Sequence, residues 1–255
     1  MSDTLPISVL LLARDEGPAL EALLPRLAFA REVVVVWDAN GDAATRAIAE
    51  RLGARVHSRA LDGFGAQRRF ALEHCREPWV LWIDADELPA QPPGPLLAPL
   101  IASPDLAGAT ITRRGFFLGR RIRYCGWQSE RLVRLFRRDR ARFDDAAVHE
   151  QVHVEGRIAR SELAFDHHSY RSWDACVDKL RRYAGAGAAK AWQEGRRAGA
   201  LDVALRPPLR FARQYLLQLG FLDGGYGAVL CALAAAQVAL KYAELWARTR
   251  GVPVR

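Results

Sequence analysis

The sequence contains little lysine and few cysteines. Three of its 37 basic residues are lysine and the rest are arginine, a skew that a GC-rich genome explains without any function. The four cysteines, Cys75, Cys125, Cys176 and Cys231, are too far apart along the chain for a zinc knuckle or a CxxC redox site. We therefore expect four reduced thiols, as is usual for a cytosolic protein.

Two common phosphate-binding patterns are missing. There is no GxxxxGK[ST] sequence, and no GxGxxG follows the first apolar run. These absences exclude a P-loop and a standard dinucleotide-binding turn. If this chain binds a phosphorylated ligand, a metal ion and arginine side chains must neutralise the phosphate charge. Half of the residues are hydrophobic, which excludes an intrinsically disordered chain.

Long apolar segments and export signals are also lacking. The first ten residues, MSDTLPISVL, do not combine a basic region, an apolar region and a small-residue cleavage site, so we expect a cytoplasmic protein. Residues 224–240 are uncharged, but they are short and rich in Ala and Gly for a spanning helix. Basic residues flank this segment, which favours a helix at the inner face of an anionic membrane. A buried core helix is the open alternative.

The charge balance favours a polyanionic partner. The net charge is +8, and eleven arginines lie between 113 and 142. Nucleic acid and an anionic membrane surface are both candidates on this ground. No zinc-finger, KH or RRM signature is present, and the arginines are not interleaved with an aromatic platform. Nucleic acid is therefore not the expected partner, although a basic nucleic-acid-binding protein stays open as an alternative.

Strand and helix patterns alternate through the first half of the chain. Apolar runs predict strands at 7–13, 33–37, 54–57 and 79–83. Helical spacing predicts helices at 18–30, 42–52 and 66–74. This alternation is typical of an α/β protein with a mainly parallel sheet and flanking helices.

The second half has a different pattern. Six prolines in 89–108 indicate a surface connection with one short helix, and antiparallel strands follow at 109–113, 132–136 and 152–154. From Trp173 onward the pattern is helical, with an expected interruption at 206–208, where two prolines follow an arginine. We predict an α/β domain at 1–172 and a helical C-terminal extension at 173–255.

Acidic residues follow three of the four predicted strands. They are Asp15-Glu16, Asp38 and the run Asp84-Ala85-Asp86-Glu87. In parallel α/β sheets, ligands bind at the carboxyl ends of the strands. Asp84 and Asp86 point to the same side of an extended segment, so both can address one divalent cation. A lone acid at such a position is more often a helix cap or turn residue.

Several segments together resemble family 2 glycosyltransferases with the GT-A fold. The likeness is nearest to lipopolysaccharide core glucosyltransferases of the WaaE/KdtX type, and it spans about residues 7–250. The segments that carry it are ISVLLLARDE (7–16), VVVVWDANGDAAT (33–45), GFGAQRRFAL (63–72), WVLWIDADE (79–87), FFLGRRIRYCGW (116–127), RLVRLFRR (131–138), VHEQV (148–152) and HHSY (167–170). A C-terminal segment, LGFLDGGYGAVLCAL, matches as well.

The resemblance implies roles for individual residues. In the sugar-nucleotide site, Asp15, Glu16 and Asp38 would hold the base and ribose. Gln67 and Arg68 would lie near the pyrophosphate, and Asp84 would face the ribose or the sugar. Asp86 and His167 would hold Mg²⁺ or Mn²⁺, and Glu150 would be the catalytic base. Arg134 and Trp127 would contact acceptor or phosphate.

Three departures from the family pattern lie on the nucleotide side. Asp15 stands where the family has Asn, DANGDAAT replaces DSGSTDGT, and Gln67-Arg68-Arg69 replaces Gln-Lys-Asn. These departures leave the fold expectation intact and bear on the identity of the donor.

The resemblance implies an inverting, metal-dependent enzyme. It would move a hexose, most simply glucose, from a UDP-sugar to a lipid-linked saccharide such as the lipopolysaccharide inner core. We expect it to work at the inner face of the cytoplasmic membrane as a peripheral protein. A non-catalytic sugar-nucleotide binder is a further alternative.

Overall fold

A computed structural model describes residues 4–128, 130–144, 151–170 and 172–253. The chain forms two compact units. The first contains Met1–Arg113 and Glu130–His167, and the second contains Arg114–Ser129 and His168–Arg255.

Four parallel strands form one half of the sheet in the first unit. They are β1 (Leu5–Ala13), β2 (Ala30–Asp38), β3 (Arg55–Arg59) and β4 (Trp79–Trp82). β1 lies between β2 and β4, with Val9 opposite both Val33 and Leu81. Alternate residues of β1 enter different apolar clusters, Val9 one and Leu10 the other. Both faces of this half-sheet are therefore buried, as the continuous apolar runs predicted.

Helices connect these strands. They are α1 (Gly17–Leu23), α2 (Ala43–Arg51) and α3 (Phe64–His74). The helix predicted over 18–30 is too long, because α1 ends at Leu23 and a short 3₁₀ turn follows at Leu24–Leu27. Pro25 has no N–H to continue the helical hydrogen bonds, which explains the change of geometry.

The other half of the sheet is antiparallel. Its strands are β5 (Glu87–Pro89), β6 (Leu106–Phe117), β8 (Glu130–Arg137) and β11 (Arg157–Tyr170), with a two-residue strand β7 (Arg120–Arg121) beside β6. The strand order is β3-β2-β1-β4-β8-β6-β11-β5. A separate hairpin joins β9 (Ala141–Phe143) to β10 (Val152–Val154). The proline-rich connection holds one helix, α4 (Pro93–Ile101).

Three helices dominate the second unit. They are α5 (Trp173–Gln193), α6 (Ala200–Ala212) and α7 (Gly224–Thr249). α7 packs against both α5 and α6. The side chain of Asp223, which precedes α7, accepts hydrogen bonds from the backbone N–H groups of Arg123 and Tyr124 at 2.8–3.2 Å. These bonds fix the start of α7 to the loop after β7.

The expected interruption at 206–208 is wrong. α6 runs through Pro207 and Pro208, and the helical region breaks earlier, after Glu194. Gly195 has a φ of 77°, the left-handed conformation that commonly ends a helix. The prolines remove the hydrogen bonds to the carbonyls of Val203 and Ala204, and Ala204 is exposed, so water can reach that carbonyl.

One helical stretch among the described residues is long and apolar enough to cross a membrane by length and composition. It covers Gly220–Thr249. Only 17% of its most apolar window is buried inside the structure, which distinguishes it from the core helix of a soluble domain.

Candidate active site

The turn after β4 forms the centre of the candidate site. The Asp84 N–H donates to Oε2 of Glu87 at 3.1 Å, and the Glu87 N–H donates to the Asp84 carbonyl at 3.0 Å. These two bonds close a tight turn from β4 into β5. The turn holds Asp84, Asp86 and Glu87 at the carboxyl end of a buried parallel strand, as predicted from the sequence.

Asp84 accepts hydrogen bonds from three side chains. Its Oδ1 accepts from Arg68 Nη2 and from Trp82 Nε1, both at 3.1 Å, and its Oδ2 accepts from Arg134 Nη2 at 2.9 Å. Burial alone would raise the pKa of this carboxyl, but the guanidinium groups of Arg134 and Arg68 outweigh it, so the pKa of Asp84 is lowered. Asp84 is therefore a fixed anion at neutral pH.

Arg134 connects the two acids of the turn. Its Nη2 lies 2.9 Å from Asp84 Oδ2 and 2.9 Å from Glu87 Oε1, and the side chain is 2% exposed. The guanidinium carbons of Arg134 and Arg68 lie 4.1 and 4.0 Å from the centroid of the Trp82 ring, a cation–π geometry. We call Trp82, Asp84, Glu87, Arg68 and Arg134 the Asp84 network.

The two arginines of the network differ in electrostatic state. Burial lowers the pKa of Arg68 to about 10, although Asp84 opposes the effect. Burial acts in the same sense on Arg134, but Asp84 and Glu87 together outweigh it and its pKa is raised. Both guanidinium groups therefore remain charged at neutral pH. Nε and Nη1 of Arg134 have no hydrogen-bond partner among the described residues.

Glu87 is a site residue to which the sequence assigned no role. Its side chain has no solvent exposure. Burial raises its pKa to about 7, and the nearby Asp84 charge adds to this, while Arg134 opposes it. The signal in the sequence was its place directly after Asp84-Ala85-Asp86, next to the predicted metal ligand.

Asp86 and His167 form a pair. Asp86 Oδ2 lies 3.0 Å from His167 Nε2. The pairing of β11 with β5 produces this contact, because His167 is the register partner of Glu87. No group of three or more His, Cys, Asp or Glu among the described residues could hold a metal ion by itself. The pair supplies one carboxylate oxygen and one imidazole nitrogen, both ligands for Mn²⁺, and the carboxylate also for Mg²⁺.

A second acidic cluster lies at the ends of β1 and β2. Oδ1 of the buried Asp38 accepts from the N–H groups of Asn40 and Leu61 at 3.1 and 3.2 Å, and these bonds lower its pKa against the effect of burial. Asp15 Oδ1 accepts from the Asp42 N–H at 2.7 Å. The carboxylate of Glu16 accepts from the backbone N–H groups of the two preceding residues. The predicted nucleotide-binding acids are thus brought together by local turns.

Gly41 makes this approach possible. A Cβ at this position would lie 2.4 Å from the carbonyl oxygen of Arg14, so a larger residue cannot fit without moving the end of β1. In the same region, Gln67 is buried on α3, and its Nε2 donates to the Arg59 carbonyl at 3.1 Å. This bond connects α3 to the end of β3. Arg68 follows on α3 and reaches Asp84.

Of the remaining predicted site residues, the structure places Trp127 and does not describe Glu150. Trp127 belongs to the second unit, where its ring stacks on Tyr170 with centroids 5.7 Å apart. Glu150, the predicted base, lies outside the described residues. The roles of both remain predictions.

Comparison with known proteins identifies the class. Residues 8–155 match the sequence model of "Glycosyl transferase family 2". With its α/β sheet and acidic strand ends, the chain is a glycosyltransferase with a GT-A fold. It belongs to glycosyl transferase family 2. This decides against the alternative of a basic nucleic-acid-binding protein.

One relative is similar over nearly its whole length. The "Lipopolysaccharide core biosynthesis glycosyltransferase LpsC" of Rhizobium meliloti is 27% identical over 257 residues, which is 95% of each chain. An uncharacterized glycosyltransferase of Rickettsia bellii is 33% identical over 84 residues, 33% of this chain and 29% of that one.

Among solved structures, S. aureus TarS 1–349 in complex with UDP is 15% identical, with a TM-score of 0.45 over 98% of this chain and 93% of that one. A structural similarity at this level says nothing about the ligand or the reaction of this chain.

Proposed function

We propose that the chain transfers a hexose, most simply glucose, from a UDP-sugar to a lipid-linked saccharide, with inversion at the anomeric carbon. The observation that carries this proposal is the turn after β4, where Asp84 and Asp86 lie beside Arg68, Arg134 and His167 within the segment that matches the family. Carboxylates that hold a cation, next to guanidinium groups, suit a nucleotide diphosphate.

The donor end is supported by the chemistry of both acidic clusters. Asp15, Glu16 and Asp38 are hydrogen-bond acceptors suited to the hydroxyl and N–H groups of a nucleoside. The buried Nε and Nη1 of Arg134 lack a partner among the described residues, and an unsatisfied buried donor is costly. An anionic ligand or a water molecule beside Trp82 would accept hydrogen bonds from these two nitrogens.

The residues present fit a divalent cation that arrives with the nucleotide. Asp86 and His167 offer two neighbouring ligands, too few for a tight site made of protein alone. Mg²⁺ and Mn²⁺ commonly take a small number of protein ligands and complete their coordination with substrate phosphates. When bound, the cation would neutralise charge on the diphosphate as it leaves.

The chain's own residues then have distinct tasks. Arg68 and Arg134 fix the Asp84 carboxylate, so that it can accept a hydrogen bond from the sugar or ribose in one orientation. Glu150 takes the proton of the acceptor hydroxyl as that oxygen attacks the anomeric carbon and the bond from this carbon to the diphosphate breaks. Because Arg134 is held by the buried Glu87 and the half-buried Asp84, a positioning role fits it better than direct acceptor contact.

The acceptor is inferred from the relative that matches across the whole chain. That protein is described as a lipopolysaccharide core biosynthesis enzyme. A lipid-linked saccharide with anionic phosphates would suit the eleven arginines of 113–142. We place the reaction at the inner face of the cytoplasmic membrane.

Binding of nucleotide tests the donor site directly. UDP, GDP and ADP sugars are titrated calorimetrically, each with and without Mn²⁺ or Mg²⁺. We expect UDP-sugar binding that requires the cation in the parent and is lost in Asp86→Asn. Asp139→Asn, in the short turn after β8, is the matched control and should bind as the parent does. Metal-independent binding, or equal binding by Asp86→Asn, would contradict the assignment.

Turnover tests the base. Glu150→Gln keeps the shape of the side chain but cannot take a proton, so turnover should fall by roughly two orders of magnitude or more. Donor affinity should stay near that of the parent. Normal turnover in this variant would move the role to another carboxylate, with Asp144 and Asp145 the next candidates.

A further inference from the structure

Large exposed apolar side chains concentrate in one short part of the second unit. Among the described residues, seven of the nine exposed leucines lie between 201 and 222, together with Phe221. They are Leu201, Leu205, Leu209, Leu216, Leu217, Leu219 and Leu222. Single exposed leucines are ordinary, but a concentration of this kind marks an interaction surface.

The first three of these leucines share one side of α6. Leu201, Leu205 and Leu209 are spaced four residues apart, which places them one above another on the helix. They are 74%, 53% and 66% exposed. We call these three the leucine row, and we call 216–222 the apolar turn. Leu217 in that turn is 80% exposed.

Another side of α6 is occupied. The Arg206 guanidinium lies 4.6 Å from the centroid of the Tyr242 ring on α7, and it also pairs with Asp202 at 2.6 Å. α6 is therefore an amphipathic helix, since one side packs on α7 while the leucine row faces away from the unit.

Positive charge accompanies the apolar surface. Residues 194–222 contain five arginines against two acids, Glu194 and Asp202. Arg196, Arg197 and Arg213 are exposed. The Ala198 N–H donates to Thr249 Oγ1 at 3.3 Å, which brings the end of α7, with Arg250, close to the start of α6. An exposed leucine row bordered by arginines matches the chemistry of an anionic lipid surface.

The prolines of α6 limit how deeply this helix could enter a lipid bilayer. Because Pro207 and Pro208 lack N–H groups, the carbonyls of Val203 and Ala204 receive no helical hydrogen bond. Inside hydrocarbon, unsatisfied carbonyls would be costly. At the headgroup level, water supplies the missing donors. The helix therefore suits a position in the plane of the interface.

We propose that the leucine row and the apolar turn dock this protein onto an anionic phospholipid bilayer, with α6 lying in the headgroup region. The inference deepens the proposed function, on which it rests for a membrane-held acceptor. It moves the contact from residues 224–240, the segment predicted from the sequence, to α6 and the turn that precedes α7. In 224–240 the exposed large apolar residues are Tyr226, Val229 and Leu240.

Vesicle flotation tests the proposal without donor or acceptor. Vesicles of phosphatidylcholine, with or without phosphatidylglycerol, are mixed with the full chain at low and high salt. The parent should float with the anionic vesicles and bind less as salt rises. The double variant Leu205→Gln/Leu209→Gln should lose about tenfold or more of its binding, because each leucine contributes substantial apolar transfer.

A matched control removes two exposed leucines elsewhere. In Leu61→Gln/Leu240→Gln the replaced leucines are 39% and 45% exposed and lie outside the proposed surface, so this variant should float as the parent does. Unchanged flotation of Leu205→Gln/Leu209→Gln would overturn the proposal, as would equal loss in the control.

Two further measurements distinguish membrane docking from misfolding and from self-association. Thermal melting and UDP binding with Mn²⁺ should be the same in parent and double variant, which shows that the fold and the donor site are intact. Failure of UDP binding with intact flotation would reject the donor assignment alone. The parent protein could instead bind no vesicles and sediment as a dimer that the double variant cannot form. That result would overturn membrane docking and assign the surface to a second copy of the chain.

Discussion

The two units of this protein use arginine and leucine in opposite ways. In the first unit Arg68 and Arg134 are buried against carboxylates, and leucines such as Leu81 have no exposed surface. In the second unit Arg196 and Arg213 are exposed, and so is Leu209. The same residue types therefore form a buried ion-pair network in one unit and part of the exposed surface in the other. The net charge and hydrophobic fraction of the whole chain do not reveal this difference between the two units.

The largest effect is expected when a buried arginine of the first unit is replaced. Arg134→Met leaves the buried Glu87 and the half-buried Asp84 without their shared cation, so the free energy of unfolding should fall by about 3–5 kcal/mol. Arg113→Met removes an exposed pair with Glu130, 2.6 Å long, and should cost about 0–1 kcal/mol. Urea denaturation of both variants measures the contrast. Similar losses in the two would mean that the network does not depend on Arg134.

The next prediction compares leucines. Leu81→Ala creates a cavity in the core of the first unit and should lower the free energy of unfolding by about 2–5 kcal/mol. Leu209→Ala, at an exposed position on α6, should change it by no more than about 0.5 kcal/mol. Guanidinium denaturation of the two variants checks this difference. A large loss in Leu209→Ala would show that the leucine row is covered in solution.

A smaller effect depends on pH. Because the pKa of Glu87 is raised from 4.5 to about 7, the folded protein keeps a proton that the unfolded chain has already released in this range. Stability should therefore decrease as pH rises from about 4.5 to about 7, by on the order of 3 kcal/mol, and this contribution should be constant above that range.

Glu87→Gln isolates the group because Gln does not titrate. The difference in unfolding free energy between parent and Glu87→Gln, measured at intervals across this pH range, should shift against the parent as pH rises. A difference that stays constant would place the pKa of Glu87 near its ordinary value.

The smallest predicted effect concerns the second acid of DANGDAAT. Asp42 is the N-cap of α2, and its carboxylate accepts from the Thr45 N–H. Asp42→Ala should cost about 1 kcal/mol, whereas Asp42→Ser should cost little, because Ser is also a favoured cap. Thermal denaturation compares the two. Equal losses in the two variants would show that the side-chain cap to the Thr45 N–H does not set the local stability.

Much of the first unit could be predicted because its signals are local. The runs ISVLLLA and WVLWI are apolar on both faces, so they could only be buried strands, and the acids that follow had to lie at the carboxyl edge. The pairing of Asp86 with His167 could not be read from spacing. It depends on β11 adding to β5 with His167 opposite Glu87, and only the family resemblance suggested it.

Other features were missed for physical reasons. Arginine is rarely buried, so a strand such as RLVRLFRR gave no sign that Arg134 would be enclosed by two acids from another turn. Glu87 had no role because its raised pKa comes from three-dimensional burial. The prolines of α6 indicated a break, but their cost is reduced where the affected backbone is exposed.

The separation of the site residues along the chain has a consequence in time. Arg134 is 50 residues beyond Asp84, and His167 is 81 residues beyond Asp86. At a synthesis rate of about 5–20 residues per second, the ribosome needs several seconds between the first carboxylate and its last partners. Until β8 pairs with β4, the acids of the turn have no buried cation from Arg134 and stay hydrated. A nascent chain, or a fragment cut at residue 155 where the family match ends, therefore lacks His167 and with it the Asp86–His167 pair.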